Sequence, residues 1–230
     1  MNSALRTNIT AAARIARIVA LVCAAAAASL VALSAAVGSV RSAHAATRIT
    51  AANANHQVGM YGDPAAAAPF WRMQHSGDCG EMAVADVVGQ ITGHEPTERQ
   101  ITSVAKHTPS ITGAGAIYHR RGGTDISDLP VLLAHYGIQS SPGQPTIRGL
   151  EQDLAQRHKV IAAVNAETIW NTAGNPNVDN HVVVVTGVDT KAGVVHLNDS
   201  GIRSGRDEQV SLTTFEKAWA TSDNLAVVTT

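Results

Sequence analysis

The chain has 230 residues, and its 17 Lys and Arg nearly balance its 18 Asp and Glu, so the formal net charge at pH 7 is −1. This balance leaves no large field of either sign, which argues against a basic-groove nucleic-acid-binding protein and against a partner of acidic polymers. Hydrophobic residues make up 45% of the chain but aromatic residues only 3%, because alanine supplies much of the hydrophobic total.

The first 45 residues have the order of a secretory signal peptide. A basic stretch precedes an apolar run, and the run is followed by the small-residue pattern Ala43-His44-Ala45. This order predicts export, with cleavage after Ala45, and therefore a secreted, extracytoplasmic protein with no stable membrane association afterwards. The apolar run also approaches the roughly 20 residues that span a bilayer, so an uncleaved anchor is the alternative.

Cleavage leaves 185 residues, the size of one domain, with a net charge of −5. The segment 46–68 is rich in Ala, Asn and Gly and is predicted to be a flexible leader, and residues 69–230 are predicted to form the folded domain. Cys23 leaves with the signal peptide, so Cys79 is the sole thiol of the mature chain and has no partner for an internal disulfide. A lone thiol in an exported protein points to a chemical role.

Helical patterns dominate the first half of the predicted domain. Apolar residues at helical spacing follow Cys79, and Asp78 with Glu81 has the spacing of a capping box, which predicts a helix that carries Cys79 in its first turn. A second capping box, Thr97 with Gln100, opens the next helix. The predicted helices after the first lie at residues 97–106, 125–136 and 147–158.

The second half is rich in strand patterns. The predicted strands are KVIAAVN, HVVVVTGVD, GVVHLND, EQVSL and LAVVTT. Residues 189–193 read as a hairpin turn between the second and third strands, and Thr213 with Glu216 caps a short helix before the last. Helices first and an antiparallel sheet second predict an α+β fold, with the cysteine on a helix N-terminus packed against the sheet.

Two further features are interpreted structurally. The polar stretch at residues 167–180 is predicted to be a surface connection, with the border of a substrate groove as the alternative. Trp71, Trp170 and Trp219 are predicted to lie in the core or in cleft walls.

The position of Cys79 favours a reactive thiol. A thiol in the first helical turn meets the positive end of the helix dipole, which favours thiolate over thiol. Asp78 and Glu81 are anionic neighbours that oppose thiolate formation, so an imidazolium partner is needed as well. His181 begins the HVVVV strand, 102 residues downstream, where its ring projects from the end of the sheet towards a facing helix. We predict that His181 is the general base.

Two polar residues are candidates to orient the imidazole. The hairpin returns the end of the VVHLND strand beside the start of the His181 strand, which brings Asn198 and Asp199 near the ring. Strand alternation places these two side chains on opposite faces, and the sequence leaves the choice between them open. Gln74 lies five residues before Cys79, and its amide together with the Cys79 backbone N–H is predicted to donate hydrogen bonds to an oxyanion.

Four segments carry a resemblance to a known family: QHSGDCGEMAVADVVGQITG, TDISDLPVLLAHYGI, NHVVVVTGVDTKAGVVHLNDSG and LTTFEKAW. Together they resemble the papain-like cysteine peptidases related to the bacteriocin-processing, double-glycine leader peptidase domains, specifically their secreted stand-alone relatives. The resemblance implies a papain-like fold with Cys79 as nucleophile, His181 as base, Asp199 as orienter and Gln74 as oxyanion donor.

The residues and the resemblance together predict an exported thiol hydrolase that cleaves a peptide or protein substrate without a cofactor. A cell-wall peptide amidase or endopeptidase is one alternative, and a catalytically silent peptide- or protein-binding module on the same fold is another. A zinc site formed by His75, Cys79 and His181 is a further alternative, although no metal-binding motif supports it. The sequence leaves the oligomeric state open.

Overall fold

The computed structural model describes residues 59–119 and 123–230. The predicted signal peptide and residues 46–58 of the predicted leader lie outside the described residues. None of the helices in these two ranges is long and apolar enough to cross a membrane.

Seven α-helices lie within the described residues. Their bounds are α1 Pro64–Ala67, α2 Cys79–Thr92, α3 Glu98–His107, α4 Leu129–His135, α5 Ile147–Ala155, α6 Ala166–Trp170 and α7 Leu212–Trp219. Short 3-10 turns lie at Ala68–Phe70, Ile126–Asp128 and Ala220–Ser222.

Seven strands of the described residues form one antiparallel sheet. Their bounds are β1 Met60–Gly62, β2 Ser140–Gly143, β3 Val160–Val164, β4 His181–Asp189, β5 Val194–Asn198, β6 Glu208–Ser211 and β7 Ala226–Thr229. The strand order is β2-β7-β3-β4-β5-β6, and β1 pairs with the last three residues of β4. β3 pairs with the first five residues of β4, so β3 and β1 lie one after the other along the same edge of β4.

Helices cover both faces of the sheet. Val182 and Val184 of β4 pack with α2, α3 and α4, whereas Val183 and Val185 pack with α5, α6 and α7. Because both faces are buried, β4 is a continuous apolar run rather than an alternating one. The predicted α+β fold, with the cysteine-bearing helix packed against an antiparallel sheet, is confirmed.

The predicted start of α2 is correct, but its predicted capping box is wrong. The Asp78 side chain makes no capping hydrogen bond at its position before the helix. Glu81 is fully buried and accepts a hydrogen bond from the Thr124 hydroxyl, so its carboxylate does not reach back to the helix start. By contrast, Thr97 and Gln100 form the predicted capping box at α3.

The other elements differ from prediction mainly at their ends. Ser211, rather than Thr213, caps α7, because the last residue of β6 is extended and its hydroxyl accepts from the Thr214 N–H. The predicted helix at 125–136 is a 3-10 turn followed by α4, and α5 ends at Ala155, before the predicted residue 158. Residues 60–67, predicted as leader, form β1 and α1, and β2 and α6 were also not predicted.

Candidate active site

Cys79 is the first residue of α2 and is half-buried. The N–H groups of a first helical turn have no partner within the helix, so the Cys79 backbone N–H is available to a ligand. The thiol also lies at the positive end of the dipole of a fourteen-residue helix. The local backbone therefore favours negative charge at this position.

His181 is the first residue of β4, against which α2 packs. Its side chain is only 4% exposed. Burial by itself lowers the pKa of His181, but the hydrogen bonds and charges of Asp199 and Cys79 outweigh burial and raise the pKa well above its usual range. The raised pKa favours the protonated form of the ring, as the imidazolium partner predicted from the sequence would need.

Asp199 follows β5 and is fully buried. Its Oδ1 lies 2.7 Å from His181 Nε2 and also accepts from the Gly201 N–H at 2.7 Å. Burial raises the pKa of Asp199, but the His181 hydrogen bond and charge, with further donors, lower it below its usual value. Because Asp199 holds Nε2, Nδ1 is the ring nitrogen left for the thiol.

Asn198, the alternative orienter, faces away from the imidazole. Its amide nitrogen donates to the Ala67 carbonyl at 3.0 Å and to Asp86 Oδ2 at 2.8 Å. Of the two candidates that the sequence left open, the structure therefore brings Asp199 and not Asn198 to His181.

Gln74 connects the segment before α2 to the loop after Asp199. Its Oε1 accepts from the Ser200 hydroxyl, and its Nε2 donates to the Ser76 carbonyl, each at 2.8 Å. The Gln74 backbone N–H donates to the Ser200 carbonyl at 2.9 Å. Gln74 is thus held between the residues that flank the thiol and those that follow the carboxylate.

The two acids beside Cys79 both have raised pKa values. Asp78 is 1% exposed and Glu81 is fully buried. Burial raises the pKa of each carboxyl, and this outweighs the opposing effect of Thr124 on Glu81. Each buried carboxyl is therefore easier to protonate than an exposed acid of the same type.

The predicted alternative of a zinc site does not assemble. His75 is exposed and its Nδ1 is hydrogen-bonded to Glu98 Oε2 at 2.6 Å. Within residues 59–119 and 123–230, no group of three His, Cys, Asp or Glu side chains is arranged to hold a metal ion.

Sequence reasoning missed two tryptophans that hold Asp199. Trp170 Nε1 donates to Asp199 Oδ2 at 2.8 Å, and the Trp170 ring lies 5.2 Å from the His181 ring between centroids. Trp71 Nε1 donates to the Asp199 backbone carbonyl. The sequence predicts only that the three tryptophans are core or cleft-wall residues. The position of Trp170 in the segment before His181 is the sequence feature that could have pointed to its role near Asp199.

Two glycines allow the loop after β5 to close around the carboxylate. A Cβ on Gly201 would lie 2.7 Å from Trp170 Cζ2 and 3.0 Å from His181 Cε1. A Cβ on Gly205 would overlap the Asp199 carbonyl. Both positions require glycine because neighbouring atoms occupy the space of a side chain, not because the backbone angle is unusual.

A cleft of about 550 Å³ opens on the Met82 side of α2. Its apolar lining residues are Pro69, Phe70, Met73, Met82 and Pro96. Met82, which lines the cleft, lies one helical turn after Cys79 on α2.

Comparisons with known proteins identify the family of the chain. The model of the Peptidase_C39 like family matches residues 69–227. The uncharacterized proteins Mb1299c of Mycobacterium bovis and Rv1268c of Mycobacterium tuberculosis are each 49% identical to the chain over 197 residues, covering 74% of this chain and 84% of theirs. A crystal structure described as that of a C39-like peptidase from Bacillus anthracis has a TM-score of 0.57 at 17% identity, covers 74% of this chain and 97% of that one, and shares the fold. The predicted resemblance is confirmed, and the chain belongs to the Peptidase_C39 like family.

Proposed function

We propose that the chain is an exported cysteine peptidase that cleaves peptide bonds by acyl transfer. The observation that carries the proposal is the buried pair of His181 and Asp199, in which Asp199 Oδ1 lies 2.7 Å from His181 Nε2, with Cys79 near enough for its charge to raise the pKa of His181. Family membership supports hydrolysis of peptides, and the signal-like order of residues 1–45 supports export.

The proposed reaction begins with attack of the Cys79 thiolate on the carbonyl carbon of the scissile bond. The Cys79 N–H and the Gln74 amide donate to the oxyanion, and protonated His181 gives its proton to the leaving amine. An acyl-enzyme remains on sulfur. His181 then takes a proton from water, the hydroxide attacks the thioester carbon, and Cys79 leaves as thiolate with release of the carboxylate product. Asp199 fixes the orientation of the ring throughout.

The test compares the wild-type protein with Cys79→Ser on a mixed peptide library, with new amino termini as the readout. Wild-type protein is expected to generate termini and the variant to generate none above background. The matched control combines Cys79→Ser with Ser76→Cys, which moves the thiol three residues along the chain to an exposed position. Terminal sequencing of the protein from an exporting host tests cleavage after Ala45.

Two outcomes separate the alternatives. New termini from purified cell-wall material, with none from the library, would support a wall amidase or endopeptidase. Labelling of Cys79 by a thiol-directed electrophile only after denaturation, with no hydrolysis of either substrate, would support a binding module.

A further inference from the structure

The hydrogen bonds of Asp199 leave one acceptor position open. A carboxylate has about four lone-pair positions. Oδ1 uses two of them, for His181 Nε2 and the Gly201 N–H, and Oδ2 uses one, for Trp170 Nε1. Because Asp199 is fully buried, water does not readily supply the fourth donor.

Glu208 is placed to supply that donor. It is the first residue of β6 and lies directly opposite Leu197 of β5. Asp199 is two residues beyond Leu197, so strand alternation puts Asp199 and Glu208 on the same side as diagonal neighbours. This placement brings the two carboxyl groups close enough for the charge of Asp199 to act on Glu208.

The hydrogen bonding of Glu208 is incomplete if its carboxyl is ionised. Its Oε2 is buried and has no hydrogen-bond donor among the described residues. An ionised Glu208 would leave this oxygen unsatisfied and place a second negative charge against Asp199, which is unfavourable in a buried site. A protonated Glu208 resolves both problems, because its O–H donates to the carboxylate that lacks a fourth donor.

We propose that Glu208 is a positioning residue of the candidate active site. Its protonated carboxyl donates a hydrogen bond to Asp199 and so holds that carboxylate against His181. The inference rests on the proposed thiol chemistry at Cys79. It extends the Cys79, His181 and Asp199 chain by one residue that touches neither the thiol nor the substrate.

The surrounding charges make this bond sensitive to pH. Burial, followed by the charge and hydrogen bond of Asp199, raises the pKa of Glu208 to about 7, and the charge of His181 acts in the opposite direction. The neighbouring Asp207 is paired with His196 at 2.7 Å, and Arg206 lies over the Trp71 ring. Below about pH 7 Glu208 is the donor, and above it the donor is lost and the two carboxylates repel each other.

The experiment measures the rate of alkylation of Cys79 by iodoacetamide as a function of pH in the full-length mature protein. This readout reports the thiol and imidazole pair without a peptide substrate. The variants are Glu208→Gln, which keeps a donor at every pH, and Glu208→Leu, which has none. The matched control is Glu216→Gln, which removes an exposed carboxyl from α7. Melting temperatures are recorded for every variant.

We expect the Glu208→Gln to wild-type rate ratio to be near one at about pH 5.5 and to rise severalfold by about pH 8.5, with a midpoint near the pKa of Glu208. Glu208→Leu should be slower than Glu208→Gln at every pH, and Glu216→Gln should follow wild type. A ratio that stays constant across this range overturns the inference, even if Glu208→Leu does not fold. Slow alkylation of folded wild type at every pH would instead count against the proposed function.

Discussion

The substitution Trp170→Phe isolates one hydrogen bond of the candidate active site. Trp170 Nε1 donates to Asp199 Oδ2 at 2.8 Å, and phenylalanine retains an aromatic ring without this donor. A hydrogen bond to a charged group contributes roughly 1.5–3 kcal/mol. At about 1.4 kcal/mol per tenfold, loss of the bond is expected to lower kcat/KM by roughly 10- to 150-fold. The donor also lowers the pKa of Asp199, so the acidic limb of the pH profile should move to higher pH.

The matched control is Trp219→Phe. Trp219 is 1% exposed in the core between the sheet and α7, and its Nε1 donates to the Leu225 carbonyl at 3.0 Å. This change removes the same atoms and the same type of donor far from the carboxylate, so it should lower the melting temperature and leave kcat/KM of the folded protein unchanged. The measurement is kcat/KM on one cleaved peptide, with the folded fraction determined by circular dichroism. Equal kcat/KM values for Trp170→Phe and wild type would refute the role assigned to this bond.

Three further changes test other parts of the structure. Asp199→Asn replaces a carboxylate that accepts on both oxygens by an amide with one acceptor oxygen. The lost charged hydrogen bond and the donor left unsatisfied should lower kcat/KM roughly 100- to 10,000-fold. A loss below tenfold would contradict this expectation. Gly201→Ala places a Cβ 3.0 Å from His181 Cε1 and 3.1 Å from Asp199 Oδ1. This crowding should lower kcat/KM at least about tenfold and lower the free energy of unfolding, measured with denaturant, by roughly 1–3 kcal/mol. Unchanged kinetics would show that the loop relaxes freely. Burial raises the pKa of Glu95 to about 7, above its unfolded value, so ionisation of Glu95 lowers the free energy of unfolding as pH rises from about 4.5 to 7. Glu95→Gln should flatten this decline relative to the control Glu216→Gln. Parallel plots of the free energy of unfolding against pH for the two variants would refute this expectation.

The sequence predicted the elements that carry the site because their patterns are local. The lone thiol, the helix start around it and the valine-rich strand behind His181 depend on neighbours within a few positions. The capping box at Asp78 failed because burial of Glu81 against Thr124 is a long-range effect that spacing does not encode. The same holds for Trp170, whose contact with Asp199 joins residues 29 positions apart.

The choice between Asn198 and Asp199 illustrates a different limit. Strand alternation predicts that they lie on opposite faces, but the register of β5 against β4 decides which face meets His181. That register shifts between Val185 and Gly187, where the pairing is irregular. A shift of one residue exchanges the two faces of a strand, so the orienting residue depends on an irregularity that no sequence period reveals.

The pairing of β1 with β4 has a practical consequence for shortened versions of the protein. A chain trimmed to begin at residue 69, where the match to the family starts, would lack Met60–Gly62 and leave Gly187–Asp189 with unpaired backbone groups on one side. It would also lose Pro64, which lies against Gly187 closely enough to exclude any side chain there. Such a protein would present an open strand edge to other copies of itself, and self-association during purification is the expected result.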